Sequence, residues 1–427
     1  MKLKFYLPLC LFLALAGCNS RQQLPRFAVI SDTHFGSDKG DGAMGKVPKT
    51  LKNLLSKEPL PDAVFVVGDL TDSGKPEQYE QLISVFSDKT NVPEGVAVYF
   101  IGGFNHDKSP SRDYDIYLEK VKQPLHQYIE IKGYPFITIS EAVLQRDYTD
   151  AMNIEALQFL SEKMADAARK YPGKPIFVFM HVPPLNTCYG STVSDGWGTD
   201  FFLPVLNQYP QAIVFSGHSH WPIGDPRSIH QGVFTAINDG SLTYSEIEKG
   251  TVDIGDHPEG YENITEGLIV NVLPNGNVEI ERWDTYRNEE IQPKWLVEAP
   301  HDGSHFTYNN RNGLPAPVFA SEAKPVVTLV TGDSIVVTFP QATDNEVVHH
   351  YLVDIMEGEQ VISSFGKFSQ FYLNSEMPAQ LTVSFSALPP GKTLTAQVKA
   401  VDSYNNQSTP IKSEPFIVSN VPQAVMQ

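Results

Sequence analysis

Apolar residues in this chain come in short runs, and several runs stop at polar residues equipped for chemistry. Phe27-Ala28-Val29-Ile30 leads through Ser31 to Asp32-Thr33-His34, and Val64-Phe65-Val66-Val67 leads to Gly68-Asp69-Leu70-Thr71-Asp72. Residues 97–101 pass through Gly102-Gly103-Phe104 to Asn105-His106-Asp107, residues 175–180 stop at His181, and residues 212–216 stop at Gly217-His218-Ser219-His220. Runs this short, rich in β-branched and aromatic residues, predict buried strands. Helical spacing of apolar positions lies between them, around 47–57, from Pro76 to 88, over 153–170 and near 201–208. The steps from Asp32 to Asp69, from Asp69 to Asn105 and from His181 to His218 are 37, 36 and 37 residues. Each suits a strand–helix–strand unit with its loops.

The pattern changes downstream. Alternating runs at 267–273 and 278–283 flank Pro274-Asn275-Gly276-Asn277 and predict a hairpin, expected to act as cover. Residues 300–324 are rich in Asn, Gly, Pro and Ser, as a linker is. Beyond them helical spacing ends, and alternating strands at 334–339, 347–356, 380–385 and 393–401 predict a β-sandwich. The expected division is an α/β domain over 27–300, a linker over 301–323 and an all-β domain over 324–420, which agrees with the two-domain prior for 427 residues.

The N-terminus has a different pattern. Lys2 and Lys4 precede an apolar run from Leu7 to Ala16, broken only by Pro8, and then Leu15-Ala16-Gly17-Cys18. This is the layout of a secretory signal, too short to span a bilayer comfortably. Its last four residues resemble a bacterial lipobox. That resemblance implies loss of 1–17, a lipid on Cys18, a tether over 18–26, and export as a membrane-anchored lipoprotein, periplasmic or on the cell surface. Cys10 would leave with the signal, so Cys188 would remain without a disulfide partner and is expected to be a buried thiol. The net charge of −18 becomes two units more negative when Lys2 and Lys4 are lost. So acidic a surface repels phosphate polymers and argues against nucleic-acid binding.

Gly40-Asp41-Gly42-Ala43-Met44-Gly45-Lys46-Val47 has the spacing of a phosphate loop, but Val47 stands where a hydroxyl is needed. It is expected to be a loop that opens a helix.

The strand ends carry the candidate chemistry. Residues two apart in extended chain point the same way, so Asp32 and His34 can share one metal. Five of the twelve histidines fall at these ends, with Asp and Asn and no thiolate, a donor set that favours manganese, iron or zinc. More than four convergent ligands suit two divalent ions roughly 3.5–4 Å apart. Asp69, on a central strand, is the best candidate for the shared ligand. Tyr189 and Trp197 follow His181 and are candidates to line a pocket. Asp38, Asp41, His126, His230, His257, His301, His305, His349 and His350 lack such a context and are expected to be surface or structural residues.

Taken in order, Asp32-x-His34, Gly68-Asp69-x-x-Asp72, Asn105-His106-Asp107, His181 and Gly217-His218-x-His220 resemble the signature of the calcineurin-like metallophosphoesterases over 27–283. The resemblance implies a four-layer sandwich, two central β-sheets flanked by helices. It implies that Asp32, His34, Asp69 and His220 hold one ion, and that Asp69, Asn105, His181 and His218 hold the other. His106 would be catalytic with Asp72 and Asp107 supporting it, and a hydroxide bridging the metals would attack a small phosphorylated substrate in line. Phe104 departs from the family, which usually has glycine there. Purple acid phosphatase relatives would carry tyrosine at Asp72 and glycine at His34, so that branch is not expected. Leu388-Pro389-Pro390-Gly391 with 396–402 resembles a fibronectin type III domain, a module that could contact protein or glycan. The competing class is a lipid-anchored binding protein that keeps the pocket without turnover.

Overall fold

The computed structural model describes residues 23–103, 106–109, 113–140, 151–248, 257–309, 314–374 and 377–419. Cys18, Phe104 and Asn105, singled out above, lie outside these residues.

The five predicted strands form as β1 (Arg26–Ile30), β2 (Ala63–Val67), β3 (Ala97–Ile101), β6 (Ile176–Met180) and β7 (Ala212–Ser216). They belong to two sheets. In the first, β1, β2 and β3 run parallel, with Ile30 opposite Val66 and Val67 opposite Ile101, so their C-terminal ends are level. The predicted hairpin, β10 (Glu266–Val272) and β11 (Val278–Asp284), does not merely cover this sheet. β10 pairs antiparallel with β1, and β12 (Glu289–Val297) extends the order to β12-β11-β10-β1-β2-β3. The second sheet has the order β4-β5-β6-β7-β9-β8 and adds β4 (His126–Ile131), β5 (Tyr134–Ile139), β8 (Ile229–Gln231) and β9 (Thr235–Asn238).

The sheets face each other across an aromatic core. Phe65 stacks on Phe179 at 4.0 Å, and Phe27 meets Phe136 edge-on at 5.1 Å. Each such buried side chain contributes about 1.5–3 kcal/mol, which is why these strands read as continuous apolar runs. The outer face of the first sheet packs on α1 (Gly42–Leu55), α2 (Pro76–Ser87) and α3 (Asp115–Val121); that of the second packs on α4 (Ala151–Lys170) and α5 (Leu203–Leu206). The result is the expected four-layer α/β core. α1 begins before 47 and absorbs the glycine-rich stretch. Lys46 is buried and donates to the carbonyls of Thr243 and Glu262, a structural role that leaves no phosphate cradle.

The C-terminal part is all β. Three strands, β13 (Val326–Thr331), β14 (Ser334–Pro340) and β17 (Gln380–Phe385), form one sheet. Facing it, β15 (Val348–Glu357), β16 (Gln360–Phe368), β18 (Thr393–Asp402) and β19 (Ile411–Lys412) form another in the order β16-β15-β18-β19, with β20 (Phe416–Ile417) on β18. Inward positions alternate along β14, β17 and β18 and fill one apolar core.

Candidate metal centre

Strand ends from both sheets meet above the aromatic core, and the backbone there is unusual. Asp32, His34, Asp69, His218 and His220 all have left-handed φ, between 41° and 69°. Asp and His tolerate this region better than most residues, but each such residue costs on the order of 1–3 kcal/mol, and the strain collects where side chains must turn to one point. Backbone ties hold the turns: Asp32 N donates to Gly68 O at 3.0 Å and His34 N to Asp69 O at 2.9 Å. Gly68 (φ 78°) has no alternative, because a Cβ there would overlap the His181 ring.

Two ligand groups result. Ligand atoms of Asp32, His34, Asp69 and His220 all lie within 4.8 Å of one another, and so do those of Asp69, His181 and His218. Asp69 belongs to both. His181 Nε2 lies 3.2 Å from Asp69 Oδ2, His220 Nε2 lies 3.1 Å from Asp32 Oδ1, and His34 Nε2 lies 3.2 Å from His220 Nε2. Asp69 Oδ1 is buried with no hydrogen-bond partner among the described residues. A buried carboxylate with one oxygen unpartnered and the other 3.2 Å from the His181 nitrogen is in the condition that a bound cation relieves.

The tautomers follow from the partners. His181 Nδ1 lies 2.8 Å from the Val67 carbonyl, and His220 Nδ1 lies 3.1 Å from the Tyr244 carbonyl. A carbonyl only accepts, so each Nδ1 carries a proton and each Nε2 is the nitrogen turned toward the centre. Burial pushes His34 and His218 down to about 3, so both are neutral donors at pH 7. Burial alone would raise Asp32 and Asp69, but His220 and His181 outweigh it and hold both carboxyls below their usual range.

His106 sits at the rim. Its ring meets His34 edge-on at 4.7 Å, and its Nδ1 lies 2.6 Å from the Asp72 carbonyl oxygen. His34, Asp72 and His106 form a third close group. Asp72, expected to support His106, orients it through its backbone carbonyl. Asp107 was expected in the same supporting role. Its buried carboxylate accepts from the N–H groups of Leu70 (3.0 Å), Thr71 (2.9 Å) and Gly103 (2.7 Å), so it ties two loops together beside His106.

Of the two pocket candidates, Trp197 stands edge-on to His218 at 5.3 Å. Tyr189 points elsewhere: its ring packs on Trp221 at 4.4 Å, and its hydroxyl donates to Glu248. The sequence reading missed Tyr244, whose ring lies 4.2 Å from His220 under Lys39 Nζ at 3.4 Å, and His257, 5.9 Å from Tyr244. It also missed Asp239. Ser31 Oγ lies 2.5 Å from Asp32 Oδ2 and 2.6 Å from Asp239 Oδ1. Burial pushes the Asp239 carboxyl well up, and with the Ser31 hydroxyl it supports the Asp32 carboxylate. The signal was present: apolar residues 233–237 end in Asn238-Asp239-Gly240, one more strand that stops at a carboxylate.

Residues 25–222 match the family model of the calcineurin-like phosphoesterases. A probable glycerophosphodiester phosphodiesterase of Arcobacter nitrofigilis is 28% identical over 204 residues, 45% of this chain and 70% of that protein. A 3′,5′-cyclic-nucleotide phosphodiesterase of Nostoc sp. is 24% identical over 213 residues, 47% of this chain and 73% of that protein. Among solved structures, the purple acid phosphatase PPD1 from yellow lupin seeds aligns over 65% of this chain and 54% of its own, at 13% identity and a TM-score of 0.46. By the match of residues 25–222 to that family model and by the phosphodiesterase relatives, this chain is a metal-dependent hydrolase of phosphoric esters.

Proposed function

We propose that the chain is a dinuclear phosphodiesterase acting on a small phosphate diester. Asp69 is the main support: one buried carboxylate belongs to two ligand groups, which suits two ions sharing a ligand. Asn105, outside the described residues, would complete the second group. Two manganese, iron or zinc ions held there would neutralise phosphate charge and lower the pKa of a water between them. The chain's own residues do the rest. The fixed tautomers of His181 and His220 and the left-handed turns preorganise the ligands, so little rearrangement accompanies the reaction. His106, steadied at the rim by the Asp72 carbonyl, is the group suited to assist the departing alkoxide. Trp197 and Tyr244 wall the centre on opposite ligand groups. Two relatives named as phosphodiesterases favour a diester over a monoester. Hydrolysis of bis-p-nitrophenyl phosphate and of p-nitrophenyl phosphate with manganese, before and after chelation, tests this. Faster hydrolysis of the bis ester, lost in His106→Ala, is expected; inert metal-loaded protein would overturn it.

Cys18 is proposed as the lipid anchor of an exported lipoprotein, on the strength of Leu15-Ala16-Gly17-Cys18. Detergent-phase partitioning that disappears in Cys18→Ala is the expected result, and partitioning unchanged by that substitution would refute it. The three-stranded and five-stranded facing sheets of 326–417 support a fibronectin type III-like sandwich.

A further inference from the structure

The C-terminal sandwich does not present all its surface to other molecules. Part of it is buried against the segment that carries His218 and His220. Tyr189, Trp221 and Ile247 pack with Phe368, Phe371 and Tyr372 in one apolar cluster that spans the two domains. Trp221 is 4% exposed and is the residue after His220.

A partly buried polar chain runs beside this cluster. Arg227 Nη2 donates to Asp225 Oδ2 at 2.8 Å and to Glu248 Oε1 at 3.2 Å, and its guanidinium lies 3.9 Å over the Tyr189 ring. The sandwich supplies the other partners. His349 Nε2 lies 3.2 Å from Glu248 Oε1, and Ser403 Oγ donates to Asp225 Oδ2 at 2.9 Å. Asn374 Nδ2 donates at 2.7 Å to Glu266 Oε1, whose Oε2 accepts from Ile223 N at 2.9 Å. Burial opposes ionisation of Glu248, but His349 and Arg227 outweigh it and hold the carboxyl well below its usual range.

These contacts reach the ligands within a few residues. The His220 carbonyl accepts from Glu246 N at 2.9 Å and from Ser245 Oγ at 3.1 Å. Asn238 Nδ2 donates to the Trp221 carbonyl at 2.7 Å. Gly190 leaves no room for a Cβ against Ser219 and Trp221, so the Tyr189 turn presses on the same segment.

We propose that the C-terminal sandwich is a positioning element of the metal centre. Through His349, Ser403 and Asn374 it fixes residues 218–223, and through them the imidazoles of His218 and His220. His349 and Ser403 touch neither ligand group, so they act through Glu248, Asp225 and Trp221. The inference rests on the metal centre proposed above and extends it to a domain the family match does not cover.

The test uses the full chain with a His349→Ala, Ser403→Ala double variant. Lys392→Ala is the control, since Lys392 pairs with Glu357 on an exposed face of the same domain. Two readouts apply: amide hydrogen exchange at 218–223 in chelator-treated protein, and manganese affinity by calorimetry. The double variant should exchange about tenfold faster there and bind manganese about tenfold more weakly, with β1 and β15 still protected. His349→Gln, which can still donate to Glu248, should recover most of the loss. If the double variant unfolds the sandwich, Ser403→Ala alone is read the same way. Exchange and affinity within roughly twofold of wild type, in protein whose β15 stays protected, would overturn the proposal. If wild type bound no manganese, the metal centre would fail while the exchange readout still decided the positioning role.

Discussion

Replacing Asp107 separates a clamp from a catalyst. Asp107→Ala leaves the N–H groups of Leu70, Thr71 and Gly103 without their acceptor. At roughly 2 kcal/mol for each buried orphan donor, the loss is about 6 kcal/mol. An opposing effect is present. Burial, and next the Asp69 charge, push the Asp107 carboxyl up to about 6 from its usual 3.8. Keeping it ionised at pH 7 therefore costs the fold about 3 kcal/mol, which either uncharged replacement relieves. The net prediction is that Asp107→Ala is about 3 kcal/mol less stable than wild type. Asp107→Asn can keep its oxygen on Leu70 and Gly103 and orphan only Thr71. Its loss of about 2 kcal/mol nearly cancels the relief, so it should lie within about 1 kcal/mol of wild type. Urea unfolding of chelator-treated protein at pH 7 measures both. The sign of the pH effect is fixed too. The folded carboxyl binds its proton more tightly, so its contribution to wild-type stability is lost as pH rises from about 4 through about 6, and the Asn variant lacks that part of the pH dependence. Equal stability of the two variants, or an Asn variant as damaged as Ala, would refute the clamp.

Other expectations follow from single residues. Gly68→Ala, strained at positive φ and pressed on His181, should destabilise by at least about 1–3 kcal/mol and weaken manganese binding, seen by thermal unfolding and calorimetry. Burial pushes the Cys188 thiol up to about 12, so native protein at pH 8 should resist iodoacetamide and unfolded protein should not, as mass spectrometry will read. Burial pushes Glu266 up to about 7, so stability should fall as pH rises from about 4.5 through 7, and Glu266→Gln should flatten that slope in melts at pH 5 and pH 8.

The strands that carry chemistry were legible because both their faces are buried, which leaves continuous apolar runs ending abruptly in polar residues. β1, β2, β6 and β7 are buried at every position. β4 was missed because it is half-buried along most of its length, and Pro135 made β5 look like loop. The partner of β1 could not be read at all. β10 joins it across more than two hundred residues, and local periodicity carries no trace of such pairing. The candidate ligands that converge were legible from residue type and strand position. The left-handed turns that aim those ligands were not, nor was the Asp107 clamp, since both depend on backbone groups that every sequence possesses. Tyr244 and His349 were passed over for a related reason: each matters through a neighbour distant in sequence, His220 for one and Glu248 for the other.

The central claim is that Asp69 is shared by two cations. Anomalous scattering from crystals grown with manganese measures it most directly. The expected map has two peaks roughly 3.5–4 Å apart with the Asp69 carboxylate between them, and both peaks vanish or weaken in Asp69→Ala. A single peak, or two that survive the loss of Asp69 undiminished, would contradict the account.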